Sequence, residues 1–342
     1  MALLSINEWK KTGLLPTAGL AAWYACEPSA GSTSIAAPDF SGGGYDLVGT
    51  AGAGNSPTIQ ANVYGGLPAW YFNGTTNQPL KVTTPITYRH IFTLAAFEEP
   101  TFTQYRGLIT GVASGDILIG NNTGIEFYFL SSAYQYRLNA VLHGDNDWRA
   151  PLNKQFGLVE FLFPSPGAGY DGVQIGQQTN QAGRRFKGWF AESLIYNVEL
   201  SQTDIERVRL YFNLKYGIWK KGVPLYFPSD DLLPYRRTRF YASPADYNKI
   251  TDTYEYEDGG RDFNEVASSA PQRWEYEYLY RTPEQAKMFD AFYDQVRLKN
   301  PFFLRDKYGT VHSNVRVESY SRTHESHKSW RNDVKFRLVK YP

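Results

Sequence analysis

The chain has 342 residues, a formal net charge of +1 and a single cysteine. The length accommodates two domains of ordinary size, and the near-neutral charge gives no overall attraction to nucleic acid. One cysteine excludes an intrachain disulfide framework and a multi-cysteine zinc site. Aromatic residues make up 16% of the sequence, and glycine and proline recur between short apolar runs, which favours a mainly β protein with many turns.

The sequence also predicts that the protein does not insert into a membrane. No apolar run reaches the length of about 18 residues that a membrane-spanning helix needs. The first residues become polar too soon for a signal peptide.

The first segment, residues 1–18, reads as a lead-in to the first domain. Ile6 and Trp9 lie in a stretch that predicts about one helical turn before Gly13. Because Leu4, Ile6 and Trp9 are apolar, we expect this segment to pack on the first domain or on a neighbouring subunit.

Residues 19–220 predict a domain of short strands separated by turns. Turn residues that tolerate positive φ recur, for example at 73–74, 121–124 and 143–146. Within 136–142, every second residue from Tyr136 onward shares one face of a single expected strand. The predicted strands are 21–25, 69–72, 90–97, 106–111, 117–120, 124–130, 136–142, 156–163, 172–175 and 186–196.

A strand followed by one short helix closes this domain. Ser201 is a good N-cap, and Asp204 lies three residues on, in the first helical turn. The helix then runs to Tyr216, and Gly217 supplies a left-handed C-terminal cap.

Several motifs in 19–220 resemble those of concanavalin A-like, or laminin G-like, jelly-roll domains. The resemblance implies a jelly-roll sandwich, and it specifies no function because this fold carries lectins, glycanases and structural modules. The motifs are a first strand at 19–24, a D-x-S-G-x-x-x-D-L turn at 39–47, a G-x-P-A-x-x-F-N-G strand at 66–74, and a last strand with a short helix ending in Lys-Tyr-Gly at 215–217.

Residues 221–237 hold three prolines and few periodic apolar residues, which indicates an ordered linker. After it, 272–280 alternates charged and aromatic residues, as a half-exposed strand does. Thr282 is an N-cap with Pro283 at the first helical position. The following helix presents apolar residues at intervals of three and four, and further strands are expected at 313–320 and 333–341.

This order of elements in 238–342 resembles a small β-module found in tail and baseplate proteins of bacteriophages, in which strands of neighbouring subunits build rings. The segments 301–306 and 334–339 carry most of the resemblance. The predicted fold class is therefore mainly β: an N-terminal concanavalin A-like jelly-roll sandwich and a smaller C-terminal α+β module. An unrelated α+β module in a cellular binding protein is the alternative.

Hydrolysis of glycans is not expected. Glycanases that resemble this fold place two or three carboxylates on one strand face, within reach of one glycosidic bond. In 1–220 no strand carries that pattern, since Glu126 and Glu160 each stand alone among apolar residues. Carboxylate pairs at 255/257 and 275/277 are better explained as charge on a strand face. We therefore predict that the protein is not an enzyme.

The sequence also predicts no metal site, no cofactor and no nucleic-acid partner. His324 and His327 lie three apart in a polar loop without a third ligand. The acidic cluster 145–147 lacks the longer ligand series of a calcium loop. Neither a nucleophile elbow nor a phosphate-binding glycine loop occurs, and the short basic runs lack stacking aromatic residues.

One loop is the best candidate for binding a glycan. Asp145, Asp147, Trp148 and Arg149 combine an aromatic ring that can stack on a sugar with polar partners for its hydroxyl groups. The alternative, that such rings pack internally or face a neighbouring subunit, remains open.

The sequence favours a structural component of a bacteriophage virion, in the tail, tail tip or baseplate. The C-terminal module would dock to other tail proteins and to copies of itself, with Trp274, Tyr276, Tyr278 and Tyr280 as the expected assembly interface. The jelly roll would project outward and contact host-surface polysaccharide. The protein would be made in the host cytoplasm and then reside in the virion. The alternatives are a stand-alone carbohydrate-binding protein and, less favoured, a polysaccharide hydrolase or lyase.

Overall fold

The fold is described by a computed structural model. The description covers residues 4–49, 56–76, 78–101, 106–112, 118–120, 127–128, 135–143, 154–163, 172–177, 184–228, 232–233, 239–242, 251–255, 261–265, 272–297, 300–305, 310–324 and 332–340. The fold is mainly β with several antiparallel sheets, as the composition and turn pattern predicted.

The chain divides into two compact units. The larger unit contains Ser5–Asn7 and Leu15–Val223. The smaller unit contains Met1–Leu4, Glu8–Leu14 and Pro224–Pro342. Most of the lead-in segment therefore groups with the C-terminal part of the chain.

The first element along the chain is the short helix α1 (Ile6–Thr12). The larger unit then contains fifteen described strands and one long helix. The strands are β1 (Leu20–Ala25), β2 (Ala36–Ala37), β3 (Leu47–Gly49), β4 (Thr58–Tyr64), β5 (Leu67–Asn73), β6 (Leu80–Val82), β7 (His90–Phe97), β8 (Arg106–Thr110), β9 (Leu118–Gly120), β10 (Phe127–Tyr128), β11 (Gln135–Leu138), β12 (Val141–His143), β13 (Gly157–Leu162), β14 (Val173–Ile175) and β15 (Lys187–Tyr196). The helix is α2 (Gln202–Tyr216), and a 3₁₀ turn at Ile218–Lys221 follows it.

These strands form two antiparallel sheets that share one core. The eight-stranded sheet has the order β12-β11-β13-β7-β15-β5-β4, with β1 also paired to β15. The seven-stranded sheet has the order β10-β9-β8-β14-β6-β3-β2. A single buried apolar cluster takes side chains from both sheets, including Phe97 and Phe190 from the first and Leu108 and Ile175 from the second. Alternate residues of the strands thus face a common interior.

Helix α2 begins and ends where the capping signals predicted. The Ser201 Oγ accepts a hydrogen bond from the Asp204 backbone N–H at 3.1 Å. Gly217 has φ of +69°, and its N–H donates to the Asn213 carbonyl. The helix is buried on nearly all sides, because every residue from Ile205 to Tyr216 except Arg207 is buried.

One strand expectation is wrong. Residues 136–142 form not one strand but a hairpin, because Asn139 and Ala140 adopt φ of +52° and +68° and turn the chain between β11 and β12. Two successive residues with positive φ match the twist of a tight hairpin. The apolar alternation that suggested a single strand continues across the turn, and it leaves Val141 and Leu142 exposed at the sheet edge.

The smaller unit contains seven strands and helix α3 in its described part. The strands are β16 (Arg239–Ala242), β17 (Thr251–Glu255), β18 (Arg261–Glu265), β19 (Gln272–Arg281), β20 (Phe302–Arg305), β21 (Val311–His324) and β22 (Asn332–Lys340), and α3 is Pro283–Val296. Five strands form one sheet in the order β16-β19-β22-β21-β20, while β17 and β18 pair with each other. Helix α3 covers this sheet with Phe289 and Phe292, whose rings contact Phe336 of β22.

The start of α3 follows the predicted cap closely. The Thr282 side chain accepts from the Gln285 N–H, and the Gln285 side chain accepts from the Thr282 N–H, which completes a capping box with Pro283 at the first helical position. Among the described residues, no helix combines the length and apolar character needed to cross a membrane.

From Glu8 onward, helix α1 groups with the smaller unit, where it contacts residues far away in the sequence. Glu8 forms an ion pair with Lys287, and Lys11 forms one with Glu284 at 3.4 Å. Both partners lie on α3, and Trp9 between them is buried. The lead-in was expected on the first domain or on another subunit, and the sequence does not reveal a partner some 270 residues away because the signal is not local.

Gly188 allows two strands of the larger unit to approach closely. Its φ is +149°, and a Cβ at this position would meet the Ala96 carbonyl oxygen at 2.1 Å. We expect Gly188→Ala to lower the free energy of unfolding by more than about 3 kcal/mol, because it combines backbone strain with a backbone clash. The matched control is Gly66→Ala, since φ is +80° but no heavy atom lies within 4 Å. The control should lose about 1 kcal/mol, and equal losses in urea unfolding would contradict the close approach.

Candidate functional site

The predicted glycan-binding residues lie outside the described residues. Asp145, Asp147, Trp148 and Arg149 all fall within 144–153, and Glu126 also falls outside. Their role therefore remains a prediction from the sequence.

The predicted assembly interface is corrected by burial. Trp274, Tyr276 and Tyr278 point into the smaller unit, and the two tyrosines are fully buried there. The Tyr278 hydroxyl donates to the Pro228 carbonyl at 2.9 Å. These three side chains form core rather than a contact surface, and the side chain of Tyr280 lies outside the description.

The strand that carries these residues is also not at an edge. β19 pairs with β16 on one side and with β22 on the other. The alternation that suggested a half-exposed strand is real, because Arg273 and Glu275 face outward. Their ionic partners are Glu318 for Arg273, and Lys335 and Arg337 for Glu275. The outward face of this sheet is therefore charged, with its charges largely paired.

An open edge in the smaller unit occurs instead on β21. Its first part pairs with β20, and its second part, Arg316–His324, pairs with β22. Among the described residues, no other strand pairs with that second part, and Ser319 and Ser321 on it are exposed. The outer edge of β20 is covered, since Phe303 exchanges backbone hydrogen bonds with Leu225 and Phe227. An open strand edge can accept an extended segment of another chain.

The isolated carboxylate Glu160 has a structural partner. Both of its oxygens accept hydrogen bonds from the Arg209 guanidinium, at 2.7 and 2.6 Å. Glu160 is only 1% exposed on β13, and Arg209 comes from α2. A bidentate pair in this position holds the helix to the sheet and leaves no room for a substrate. This pair cannot be predicted from local sequence, because the partners lie 49 residues apart.

A second buried carboxylate, Glu192, is fully hydrogen-bonded. Its Oε1 accepts from the Trp23 indole N–H and the Tyr211 hydroxyl, both at 2.6 Å. Its Oε2 accepts from the Lys215 ammonium at 2.6 Å and the Tyr216 hydroxyl at 2.7 Å. Burial, with Glu192 as the next cause, raises the pKa of both tyrosines well above the ordinary value. The phenols therefore stay protonated and keep donating.

His90 is a buried group of a different kind, because neither ring nitrogen has a hydrogen-bond partner. The ring is fully inaccessible and stacks on Phe92 with 4.5 Å between centroids. Burial, followed in order of effect by the charges of Arg137, Arg209 and Arg89, lowers the pKa of His90 to about 3. The imidazole is thus neutral in the fold, and nothing nearby makes it a catalytic base.

An aromatic pair lies on the outward face of the eight-stranded sheet, in which Tyr71 is half-buried and Trp189 is 9% exposed. Trp189 and Tyr71 are directly opposite each other on β15 and β5, with ring centroids 5.2 Å apart. Their neighbours Phe190 and Trp70 fill the core, so these two rings point the other way. We call this group the Trp189 platform, and it consists of Gln60, Tyr71, Glu98, Lys154, Lys187 and Trp189.

Polar side chains surround the two rings. The Trp189 indole N–H donates to Gln60 Oε1 at 2.7 Å, and the Tyr71 hydroxyl donates to Glu98 at 2.8 Å. Burial and the contact with Glu98 raise the pKa of Tyr71 to about 12. Two lysine ammonium groups approach Glu98, and one of them also lies over the Trp189 ring. The sequence analysis did not predict this group. Alternation in 70–72 indicates it in part, because Tyr71 lies between two core aromatic residues and must therefore point outward.

Metal chemistry finds no support in the described part of the chain. Within it, no group of three or more histidine, cysteine or acidic side chains could hold an ion. The side chains of His324 and His327 lie outside the description. Cys26 is buried, and burial raises the pKa of its thiol, so it is not a reactive thiolate.

The ion pair between Glu160 and Arg209 allows a test of whether Glu160 has a structural role. Glu160→Gln leaves the Arg209 charge buried without its counter-ion, so we expect a loss of about 3 kcal/mol in the free energy of unfolding. The matched control is Glu199→Gln, which removes a 2.5 Å pair with Arg89 in which Glu199 is 54% exposed. The control should lose at most about 1 kcal/mol. A Glu160→Gln protein of unchanged stability would contradict the structural role.

The buried His90 predicts acid sensitivity. The unfolded chain gains a proton on His90 below about pH 6.5, while the folded chain resists it until about pH 3. The stabilisation is therefore complete above about pH 6.5 and is lost as the pH falls toward 3, by about 1.4 kcal/mol per pH unit at most.

His90→Phe should remove this component, because phenylalanine keeps the stacking on Phe92 without a titrating nitrogen. The measurement is urea unfolding between pH 7.5 and 4.5, compared between wild type and variant. His143→Phe, at a partly exposed position of the same sheet, should retain the slope because His90 is still present. Parallel pH profiles for wild type and His90→Phe would show that the burial of His90 is not what makes the fold acid-sensitive.

Comparison with known proteins assigns no family. No protein-family model matches the sequence, and a search of curated proteins finds no match. Function therefore has to be argued from the residues, contacts and charges of the chain itself.

Proposed function

We propose that this chain is a structural component of a bacteriophage virion, in the tail, tail tip or baseplate. The smaller unit docks the chain to other tail proteins or to copies of itself. The larger unit is a concanavalin A-like jelly roll displayed outward, where it contacts host-surface polysaccharide. In this proposal the protein is not an enzyme, needs no cofactor and resides in the virion.

The open edge of β21 is the observation that carries the docking role. The segment Arg316–His324 offers backbone donors and acceptors along one side, next to the charged outward face of the sheet. Pairing with an extended segment of a neighbouring subunit would satisfy those groups and continue the sheet. The proposal thus replaces the aromatic face of β19, which is core, by the backbone edge of β21.

The hydrogen-bond partners of buried carboxylates in the larger unit support the proposal that the protein is not an enzyme. Glu160 and Glu192, two of the three buried carboxylates described in this unit, are saturated by donors from α2 and β1. A catalytic pair needs at least one carboxyl group that reaches the substrate. Both acids act in holding the helix.

A stand-alone carbohydrate-binding protein is the second candidate, and the Trp189 platform favours it. Aromatic rings with polar side chains at their rim are the composition of sugar-binding surfaces. The two candidates share the larger unit's role and differ in whether the smaller unit assembles.

Assembly through the β21 edge can be tested with an added charge. Ser321→Lys places an ammonium on the open edge, which disfavours pairing with another strand, and we expect at least a tenfold loss of incorporation into particles or rings. Ser313→Lys is the matched control, since Ser313 is exposed on the same strand within the part paired to β20. The readouts are light scattering of the purified chain and the stoichiometry of the chain in purified particles.

The proposal makes a firm demand on both readouts. A wild-type chain that stays monomeric at all concentrations and binds no tail component would contradict the proposed role in a virion. Assembly of Ser321→Lys equal to wild type would exclude the β21 edge as the docking element.

A further inference from the structure

The Trp189 platform carries chemistry that the fold itself does not require. Trp189 and Tyr71 occupy outward strand positions, where a side chain contributes little to the core between the sheets. All members of the platform come from the larger unit, on β4, β5, β15 and the segments that follow β7 and precede β13. Strands fix the two aromatic residues, so their rings are pre-organised.

The electron-rich face of Trp189 is already used to hold a cation. The Lys154 ammonium lies 5.8 Å from the ring centroid, and this side chain is 63% exposed. A long, solvated side chain is readily displaced from an aromatic face. Trp189 as a whole residue is 9% exposed with this ammonium over its ring, so access to the ring requires that displacement. A sugar ring can replace the ammonium there, since its C–H groups also favour the indole face.

The charge of the platform is positive. Glu98 contributes one negative charge, and Lys154 and Lys187 contribute two positive charges at 3.6 and 3.5 Å from it. The sum of two positive charges and one negative charge is +1. Displacement of Lys154 from the ring and from Glu98 frees an ammonium at the edge of the site, where it suits a carboxylate on the ligand.

We infer that the Trp189 platform binds an acidic polysaccharide, with a carboxylated sugar residue stacked on Trp189. Its carboxylate lies between Lys154 and Lys187. Glu98 and Gln60 form hydrogen bonds with sugar hydroxyl groups, and the Tyr71 ring extends the stacking surface. This inference rests on the proposed outward role of the larger unit, and it names a place and a sugar class for that role.

The experiment measures binding of the purified full chain to polysaccharides by affinity electrophoresis. Polygalacturonate and hyaluronate are the carboxylated probes, and dextran is the neutral one. We expect retardation by a carboxylated probe that weakens as salt is added, and at least tenfold weaker retardation by dextran.

Three variants locate the site. Trp189→Ala should weaken binding at least tenfold, and Lys154→Glu, at a largely exposed position, should do the same without affecting folding. Trp219→Ala is the matched control, because Trp219 also has a lysine over its ring, Lys220 at 5.6 Å, but lies after α2. The control should bind as wild type does.

Each contrary outcome overturns the inference. Such outcomes are binding to neither carboxylated probe, equal binding to dextran, or full binding by a folded Lys154→Glu protein. Loss of binding in Trp148→Ala with wild-type binding in Trp189→Ala would also overturn it, since the site would then be the 145–149 loop.

Failure here is distinguishable from failure of the proposed function. A chain that occurs in purified particles at fixed stoichiometry but binds no acidic polysaccharide keeps its structural role and loses this site. A chain that binds polygalacturonate through Trp189 but joins no particle supports the site and the stand-alone binding protein instead.

Discussion

The larger unit depends on the burial of one carboxylate and on the hydrogen-bond donors that this burial requires. Glu192 has no access to water, so its two oxygens need donors from the protein, and they receive four. These donors come from β1 and from the last turns of α2, so one side chain on β15 sets the position of two further elements. The register of β15 against β7 shifts at a bulge between Phe190 and Glu192, just before this carboxylate. Trp189 pairs with Ala96 and Glu192 with Leu94, two residues apart on β7, so both side chains lie on one sheet face. That face thus carries both the helix anchor and the platform.

What the sequence predicts well is what is decided locally. The caps at Ser201, Gly217 and Thr282 depend on backbone groups within four residues, and each was read correctly from residue type and spacing. The mainly β character follows from the turn residues and short apolar runs. The jelly-roll arrangement and the tail-type module are matters of strand order, and they remain proposals.

What the sequence does not predict depends on partners remote along the chain. Glu160 reads as an isolated acid until Arg209 is placed beside it, and Tyr276 reads as half-exposed until α3 covers its strand face. The hairpin at Asn139 shows a different failure, because the every-second apolar pattern runs on in the sequence through the turn. In the structure Leu142 pairs with Arg137 and so lies on the face opposite to Tyr136 and Leu138. At the platform, alternation alone could have marked Tyr71 as outward, but not its pairing with Trp189. The predicted sugar-binding loop, which includes Trp148, lies beyond the described residues.

The grouping of Glu8–Leu14 with Pro224–Pro342 bears on how the protein is made. Helix α3, which supplies the ionic partners of α1, is translated about 270 residues after α1, roughly 15 to 55 s later at ordinary elongation rates. During that interval the nascent chain can complete the intervening unit, while Glu8 and Lys11 have no ionic partners on α3. A nascent chain released from the ribosome before α3 is translated would therefore contain α1 without the side chains that pair with it.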